Sequence, residues 1–352
     1  MKILVVPDSF KGSLSSKEVC DCIKNGLSSV TDAEITTLPF ADGGEGFAEC
    51  LSAACNGVPL YIDCTDLYGK AINAVIFTYG NMAVIECAAA SGLQKKKDVM
   101  NATSYGTGEL IKAAVLKGFN NIVLGLGGSG CCDGGAGALS ALGVKFKDFS
   151  GGIISRPTGG NIGDIYGADF RNIVKPINFT YACDVDNPYY GKNGAAFVFA
   201  KQKGATDKDI VTLDNGLKML NAFLPKDVGK TKGTGAAGGL CGGLYSVYGG
   251  AIKSGFDILC KAYDLETKIS QSDLIITGEG KTDSQSLMGK LPYKIAKLCK
   301  KYGKKCAVIS GIIEGVSFAD KMISLTDSEI SAEESMKNAA KILTDKSKLI
   351  LQ

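Results

Sequence analysis

The sequence predicts an α/β protein of two domains. One is a doubly wound, Rossmann-like parallel-sheet domain assembled from both ends of the chain, residues 1–60 and 265–352; the other is a large mixed α/β domain with glycine-rich loops, residues 61–264, inserted between them. Three observations carry this. Apolar strand-like runs alternate with helix-spaced stretches at both ends, which implies parallel strands joined by helices. The two N-terminal βα units alone make a poor sheet, and joining them to the C-terminal strands makes a complete one. A chain of 352 residues also exceeds what one hydrophobic core usually fills.

Taken in order, Ile3-Leu4-Val5-Val6-Pro7 is a continuous apolar run and reads as a buried strand. Ser15 or Ser16 then caps a helix in which Val19, Cys22, Ile23, Gly26 and Leu27 recur at helical spacing. A second βα unit follows, with a strand over 34–40 and a helix over 46–54, joined by the loop Ala41-Asp42-Gly43-Gly44-Glu45-Gly46. From Tyr61 to Ser91 the pattern shifts to strands joined by turns, and the runs 75–78 and 82–87 flank Tyr79-Gly80-Asn81 as a hairpin. Helical spacing returns over 108–116, then a strand over 121–124, a glycine-rich loop and a helix over 137–142. The last quarter alternates simply: strand 273–277, helix 293–301, strands 306–310 and 322–325, and one long terminal helix from Ala332.

Composition excludes several classes. The net charge of +3 comes from 39 basic and 36 acidic residues spread along the chain, so nothing argues for nucleic acid or a membrane surface as partner. No stretch reaches the roughly eighteen apolar residues of a membrane span, and the N-terminal apolar run is too short for a signal peptide. A cytoplasmic protein, monomer or homodimer, is expected. The 13 cysteines are scattered and never spaced C-x-x-C, which fits free buried thiols better than a metal site. The 46 glycines cluster, marking positions of positive φ or close approach to a ligand.

The chain has no histidine, which removes Ser-His-Asp and Cys-His nucleophilic centres and zinc hydrolases. The only arginines are Arg156 and Arg171, so an arginine cluster is excluded as well. What remains is proton abstraction by Asp or Glu, with charge met by Lys, Mg²⁺ and backbone N–H groups. That set suits phosphoryl transfer to a hydroxyl.

Five groups of residues are candidates for that chemistry. Asp8-Ser9-Phe10-Lys11 leaves the carboxyl end of the first strand, where open parallel sheets bind ligands; the alternative is a βα turn with a serine cap. Asp42-Gly43-Gly44-Glu45 lies at the same edge by topology, its glycines suited to an anion and its carboxylates to a divalent cation; solvated helix-capping carboxylates are the alternative. Gly125-Leu126-Gly127-Gly128-Ser129-Gly130 matches G-x-G-x-x-G weakly, because it continues into Asp133-Gly134-Gly135 and not into a helix, and it reads better as an anion-binding nest. Thr277-Gly278-Glu279-Gly280-Lys281-Thr282-Asp283 follows a strand and brings two carboxylates and a lysine together, although no P-loop precedes Lys281. Asp184, Asp186 and Asn187 add oxygen ligands of the kind magnesium prefers, in a segment whose Asn-Pro also reads as a turn.

As a set these residues resemble the type I glycerate kinases, the bacterial glycerate 2-kinases. The resemblance runs in order through Pro7-Asp8-Ser9-Phe10-Lys11, Ala41-Asp42-Gly43-Gly44-Glu45-Gly46, Glu86-Cys87-Ala88-Ala89-Ala90-Ser91-Gly92-Leu93 and Tyr105-Gly106-Thr107-Gly108-Glu109-Leu110. It continues through Gly127-Gly128-Ser129, Asp133-Gly134-Gly135-Ala136-Gly137, Cys183-Asp184-Val185-Asp186-Asn187-Pro188 and Gln202-Lys203-Gly204-Ala205, and ends with Gly235-Ala236-Ala237-Gly238-Gly239-Leu240 and Thr277-Gly278-Glu279-Gly280. The chain departs from the family where Gly130-Cys131-Cys132 replaces Ala-Thr-Asn and Lys281-Thr282-Asp283 replaces Arg-Leu-Asp.

The resemblance implies a two-domain kinase that uses Mg-ATP and D-glycerate, yields 2-phosphoglycerate and works in the interdomain cleft. Joined to the reading of the residues, it makes Asp184 or Asp283 the expected base for the substrate hydroxyl. Lys11 is expected on the substrate carboxylate or transferred phosphate, and Asp42, Asp184 and Glu279 near the metal. Asp8, Ser9, Gly43, Gly44, Glu45, Asp133, Asn187 and Lys281 are expected to line the site. Gly127, Gly128, Ser129 and Gly238 are expected to cradle phosphates. A kinase for another small hydroxy acid is the alternative within this reaction class, and two rivals remain outside it: a nicotinamide-dependent oxidoreductase built on Gly125–Gly130, and a non-catalytic sensor of an organic acid or sugar phosphate.

Overall fold

The structure is a computed structural model describing residues 1–41, 44 and 46–352. The chain divides into two compact units: Met1–Asp42 with Glu49–Cys55 and Phe256–Gln352, and Gly43–Ala48 with Asn56–Gly255. The first unit is therefore discontinuous and the second is an insertion. The α/β class expected from the sequence holds, with a parallel sheet in one unit and a mixed sheet in the other.

The first unit is built on five parallel strands, in the spatial order Lys321–Ser324, Lys305–Ser310, Leu274–Thr277, Lys2–Val5, Glu34–Thr37. Counted along this unit the order is 2-1-3-4-5, the second of the common doubly wound orders, with its switch point between the first and third strands. Ile3 pairs with Leu274 on one side and Ile35 on the other. Ile3, Leu4, Val5 and Val6 are all buried, as expected of a strand covered on both faces. Among the residues that share a core with Ile3 and Val5 are Val19, Ile23, Leu27, Ile276, Ile309 and Leu343.

Helix Ser16–Ser28 begins where the sequence places it. The Ser15 hydroxyl accepts the Glu18 N–H and the Glu18 carboxylate accepts the Ser15 N–H at 2.8 Å, a reciprocal cap. Near its end Gly26 meets the terminal helix so closely that a Cβ there would lie 2.0 Å from Ser347 Oγ and 2.1 Å from the Thr344 carbonyl oxygen. In an open helix Gly→Ala gains about 1 kcal/mol; here the backbone contact reverses the sign. Gly26→Ala is expected to destabilise by about 2 kcal/mol in urea unfolding, and a stabilised variant would disprove this close crossing.

The terminal segment differs from expectation. It is two helices, Ala332–Lys337 and Ala339–Ser347, because Asn338 leaves helical dihedrals at φ −113° and ψ 24°. Asparagine gives up little by doing so, being a poor helix former whose side chain competes for backbone groups.

The second unit carries a six-stranded sheet in the order Ala251–Lys253, Asn178–Ala182, Asn121–Gly125, Met82–Glu86, Ala71–Tyr79, Val58–Thr65. The first four are parallel and the last two antiparallel. The expected hairpin is present, with Tyr79 opposite Met82 and Gly80 at φ 55° in the two-residue turn. Helices Tyr105–Leu116, Ala136–Ala141 and Asp207–Phe223 contribute buried residues to one large core. A small antiparallel sheet of Ile153–Ile154, Lys145–Lys147 and Gly167–Asp169 has no counterpart in the sequence reading. Among the described residues no helix is long and apolar enough to cross a membrane.

Candidate active site

In the first unit the loops after Lys2–Val5 and Leu274–Thr277 leave adjacent parallel strands at the switch point. They are laced together: the Val6 N–H donates to the Ile276 carbonyl at 2.7 Å and the Asp8 N–H to the Gly278 carbonyl at 2.9 Å. Gly278 has to be glycine, since a Cβ would stand 1.8 Å from the Ile309 carbonyl oxygen. Asp8 Oδ1 accepts the Ser9 N–H at 2.7 Å, which fixes the turn. Lys11 is exposed, and among the described residues no hydrogen bond or ion pair engages its ammonium. A mostly apolar cavity of about 260 Å³ lies beside it, lined by residues that include Phe10, Lys281, Ile312, Leu325 and Met336. The Thr277 hydroxyl, at the strand's end, is buried and has no hydrogen-bond partner among the described residues.

Glu279 anchors the second of these loops. It is 7% exposed, and its Oε1 accepts the Ser286 hydroxyl at 2.6 Å and the Thr282 hydroxyl at 3.2 Å. Oε2 pairs with Lys290 Nζ at 3.0 Å. Ser310 Oγ accepts the Glu279 N–H at 3.3 Å and lies 2.8 Å from the Thr282 hydroxyl, closing a buried network. Both oxygens of Glu279 are committed, so the magnesium-ligand role expected for it fits poorly: an ion would have to displace Lys290. Lys281 pairs with Glu314 at 2.9 Å and stands 3.9 Å from Asp283, and its pKa is raised mainly by the Glu314 carboxylate. Asp283 Oδ1 accepts the Gln285 N–H at 2.9 Å.

In the second unit, Glu86, Gly125, Ala182 and Lys253 stand in one row across the four parallel strands. The loops beginning at Cys87, Leu126 and Cys183 thus emerge from a single edge. Gly128 has φ 72°, and the loop is pinned to Ser91-Gly92-Leu93 by the Gly130 N–H on the Ser91 carbonyl at 2.8 Å and the Leu93 N–H on the Gly128 carbonyl at 2.9 Å. Helix Ala136–Ala141 starts well beyond this loop, so no helix N-terminus stands where a dinucleotide pyrophosphate needs one. Asp184 is exposed, with Oδ2 3.3 Å from the Gly255 N–H that it accepts. The Asn187 amide donates to the Asn193 carbonyl at 2.8 Å and ties two loops.

Asp133 and Gly238 lie deeper than a ligand-lining role requires. Asp133 is fully buried: Oδ2 accepts the Ser104 N–H at 2.7 Å, the Ser104 hydroxyl at 2.8 Å and the Gly137 N–H at 3.2 Å, and Oδ1 accepts the Gly135 N–H at 3.1 Å. Burial pushes its carboxyl pKa up and these donors, Ser104 foremost, pull against that. A Cβ on Gly238 would lie 2.1 Å from the Cys131 carbonyl oxygen, so this glycine permits close packing. Cys131 and Cys132, where the resembled family carries Thr-Asn, are wholly buried, and burial pushes the Cys132 thiol up to about 12.

The structure therefore gathers Asp8, Ser9, Lys11, Glu279, Lys281 and Asp283 at the switch point of one unit. It sets Gly127, Gly128, Ser129 and Asp184 on the carboxyl edge of the other's sheet. Asp42, Gly43 and Glu45 lie outside the described residues; Gly44 accepts the Phe47 N–H at 3.3 Å through its carbonyl. Among the described residues no three acidic or cysteine side chains gather as a metal site. The sequence reading assigned no role to Lys203, Ser286, Lys290 or Ser310. The one available signal was Lys203, which stands within the motif Gln202-Lys203-Gly204-Ala205 shortly after the apolar run Ala195–Ala200.

The family model described as the glycerate kinase family matches residues 3–352. The chain is 43% identical over 326 residues to the glycerate 2-kinase of Escherichia coli (strain K12), covering 88% of this chain and 85% of that one. It is 39% identical over 362 residues to the glycerate kinase of Bacillus cereus (strain ATCC 10987 / NRS 248), covering 96% and 94%. A crystal structure of a protein described as a glycerate kinase 2, from Salmonella typhimurium LT2, superposes with a TM-score of 0.86 at 37% identity, covering 99% and 97%.

Proposed function

Because the chain belongs to the glycerate kinase family, we propose that it transfers the terminal phosphoryl group of Mg-ATP to D-glycerate, giving 2-phosphoglycerate. The observation that carries this is similarity along essentially the whole chain, with the Escherichia coli relative named a glycerate 2-kinase. The side-chain inventory agrees: without histidine, deprotonation of the substrate hydroxyl falls to a carboxylate, and Asp184 and Asp283 are the candidates. Lys11, exposed and without an ion-pair partner among the described residues, binds the substrate carboxylate or the transferred phosphate. Lys281, opposed by Glu314 and Asp283, is a second cation, on the neighbouring loop of the same switch point.

Magnesium, when bound, neutralises developing phosphate charge. Asp184, which is exposed, suits it better than Glu279, whose two oxygens are taken by Ser286, Thr282 and Lys290. Reaction in the interdomain cleft belongs to the same proposal and rests on the family resemblance.

The test is a coupled assay with D-glycerate and Mg-ATP, with the phosphoglycerate isomer identified by NMR. ATP-dependent 2-phosphoglycerate is the expected product. The 3-isomer alone would sink the regiochemistry, and absence of turnover with glycerate would shift the substrate to another small hydroxy acid.

A further inference from the structure

Lys203 is a lysine in the core of the second unit, 3% exposed. Its Nζ donates to Ser129 Oγ at 2.9 Å and to the Cys131 carbonyl oxygen at 2.7 Å. Both acceptors are neutral, and among the described residues no carboxylate lies within ion-pair distance of it. An ammonium so removed from water is a substantial penalty that two neutral acceptors only partly offset. Its backbone is held rigidly: Gly204, at φ 97°, lies so close to Lys97 that a Cβ there would be 2.7 Å from the Lys97 carbonyl oxygen.

The placement has a chemical consequence at Ser129. With the ammonium hydrogen bond filling an acceptor site of Ser129 Oγ, the hydroxyl's own hydrogen points elsewhere, and no acceptor for it occurs among the described residues. The next residues outward, Gly127 and Gly128, reach solvent, and their N–H groups donate no hydrogen bond among the described residues. Two amide donors and one polarised hydroxyl donor thus stand over a buried positive charge, at the carboxyl edge of a parallel sheet.

Resting on the kinase reading above, we propose that Lys203 is the positioning residue that makes the Gly127–Ser129 loop an all-donor cradle for an anionic oxygen, either a nucleotide phosphate or the acid substrate's carboxylate. A purely structural tie has no need of a charge: a neutral donor would hold the loop without the desolvation.

Lys203→Met keeps an unbranched side chain one atom shorter and removes the charge. Wild type and variant are titrated by calorimetry with Mg-ATP and separately with D-glycerate, alongside thermal unfolding. The variant is expected to melt within about 4 °C of wild type, since relief of the ammonium's desolvation offsets much of the cost of leaving the Cys131 carbonyl without its donor. One ligand is expected to bind roughly 10- to 100-fold more weakly, the worth of a charge-assisted hydrogen bond. Weakening confined to ATP assigns the cradle to phosphate, and weakening confined to glycerate assigns it to the carboxylate. Unchanged affinity for both ligands overturns the proposal, as does a wild type that binds neither. If the variant does not fold, Ser129→Ala takes its place, with the same ligand expected to weaken and unchanged affinity again overturning it. Turnover of D-glycerate by the wild type is read separately, so failure of the functional reading is distinguishable from failure of the cradle.

Discussion

Asp133→Asn is expected to lower stability by about 3 kcal/mol in mildly acidic buffer. The carboxylate accepts from three N–H groups and the Ser104 hydroxyl, with the Thr103 hydroxyl 3.5 Å from Oδ2, all at a fully buried side chain. An amide offers one acceptor oxygen and turns its NH₂ toward a donor in either orientation. With the oxygen at the crowded Oδ2 position, the NH₂ meets the Gly135 N–H; with the orientation reversed, it meets the Ser104 and Gly137 donors. The cost also depends on pH with a definite sign. Burial raises the folded-state pKa of Asp133 above the ordinary carboxylate value. Its contribution is therefore fully present below that ordinary value and lost as pH rises through the raised one. The gap between wild type and variant in urea unfolding should be widest at the acid end and narrow on the way to neutral. A gap that widens with pH would overturn this account.

Replacing the base is the other large effect. Asp184→Asn and Asp283→Asn, made separately, are expected to show a fall in kcat of about 10²- to 10⁴-fold in one of the two, the loss typical of a missing general base. Asparagine retains an acceptor oxygen for the Gly255 N–H in one case and the Gln285 N–H in the other. Loss of kcat with near-native melting identifies the base. Wild-type turnover in both variants would remove aspartate deprotonation at these positions from the mechanism.

Much of the fold is legible in the sequence because it is written locally. The first strand announces itself as an apolar run, Ser15 or Ser16 as a helix cap, and Gly80 as part of a turn. The strand order 2-1-3-4-5 is not local: Ile3 meets Leu274 across nearly the whole chain, and no periodicity encodes that partner. The break at Asn338 is a matter of one residue's dihedrals inside an otherwise helical pattern. At the candidate site the same division holds. Lys11 and Glu279 sit in loops that follow recognisable strands, so their neighbourhood could be read. The burial of Asp133 depends on Ser104, 29 residues away, and that of Lys203 on Ser129, 74 residues away. A lysine or aspartate in sequence looks solvated until such partners enclose it.

The insertion also sets a timetable for synthesis. The Lys2 N–H donates to Asp273 across 271 residues, and strand Lys2–Val5 lies between Glu34–Thr37 and Leu274–Thr277. On the ribosome the first strand therefore leaves the exit tunnel on the order of tens of seconds before its third-strand neighbour. The inserted unit, whose six strands all lie within 58–253, can close its own sheet in that interval. The N-terminal βα units then wait as an apolar, half-paired edge, exposed to chaperones and to other nascent chains until the last quarter of the protein arrives.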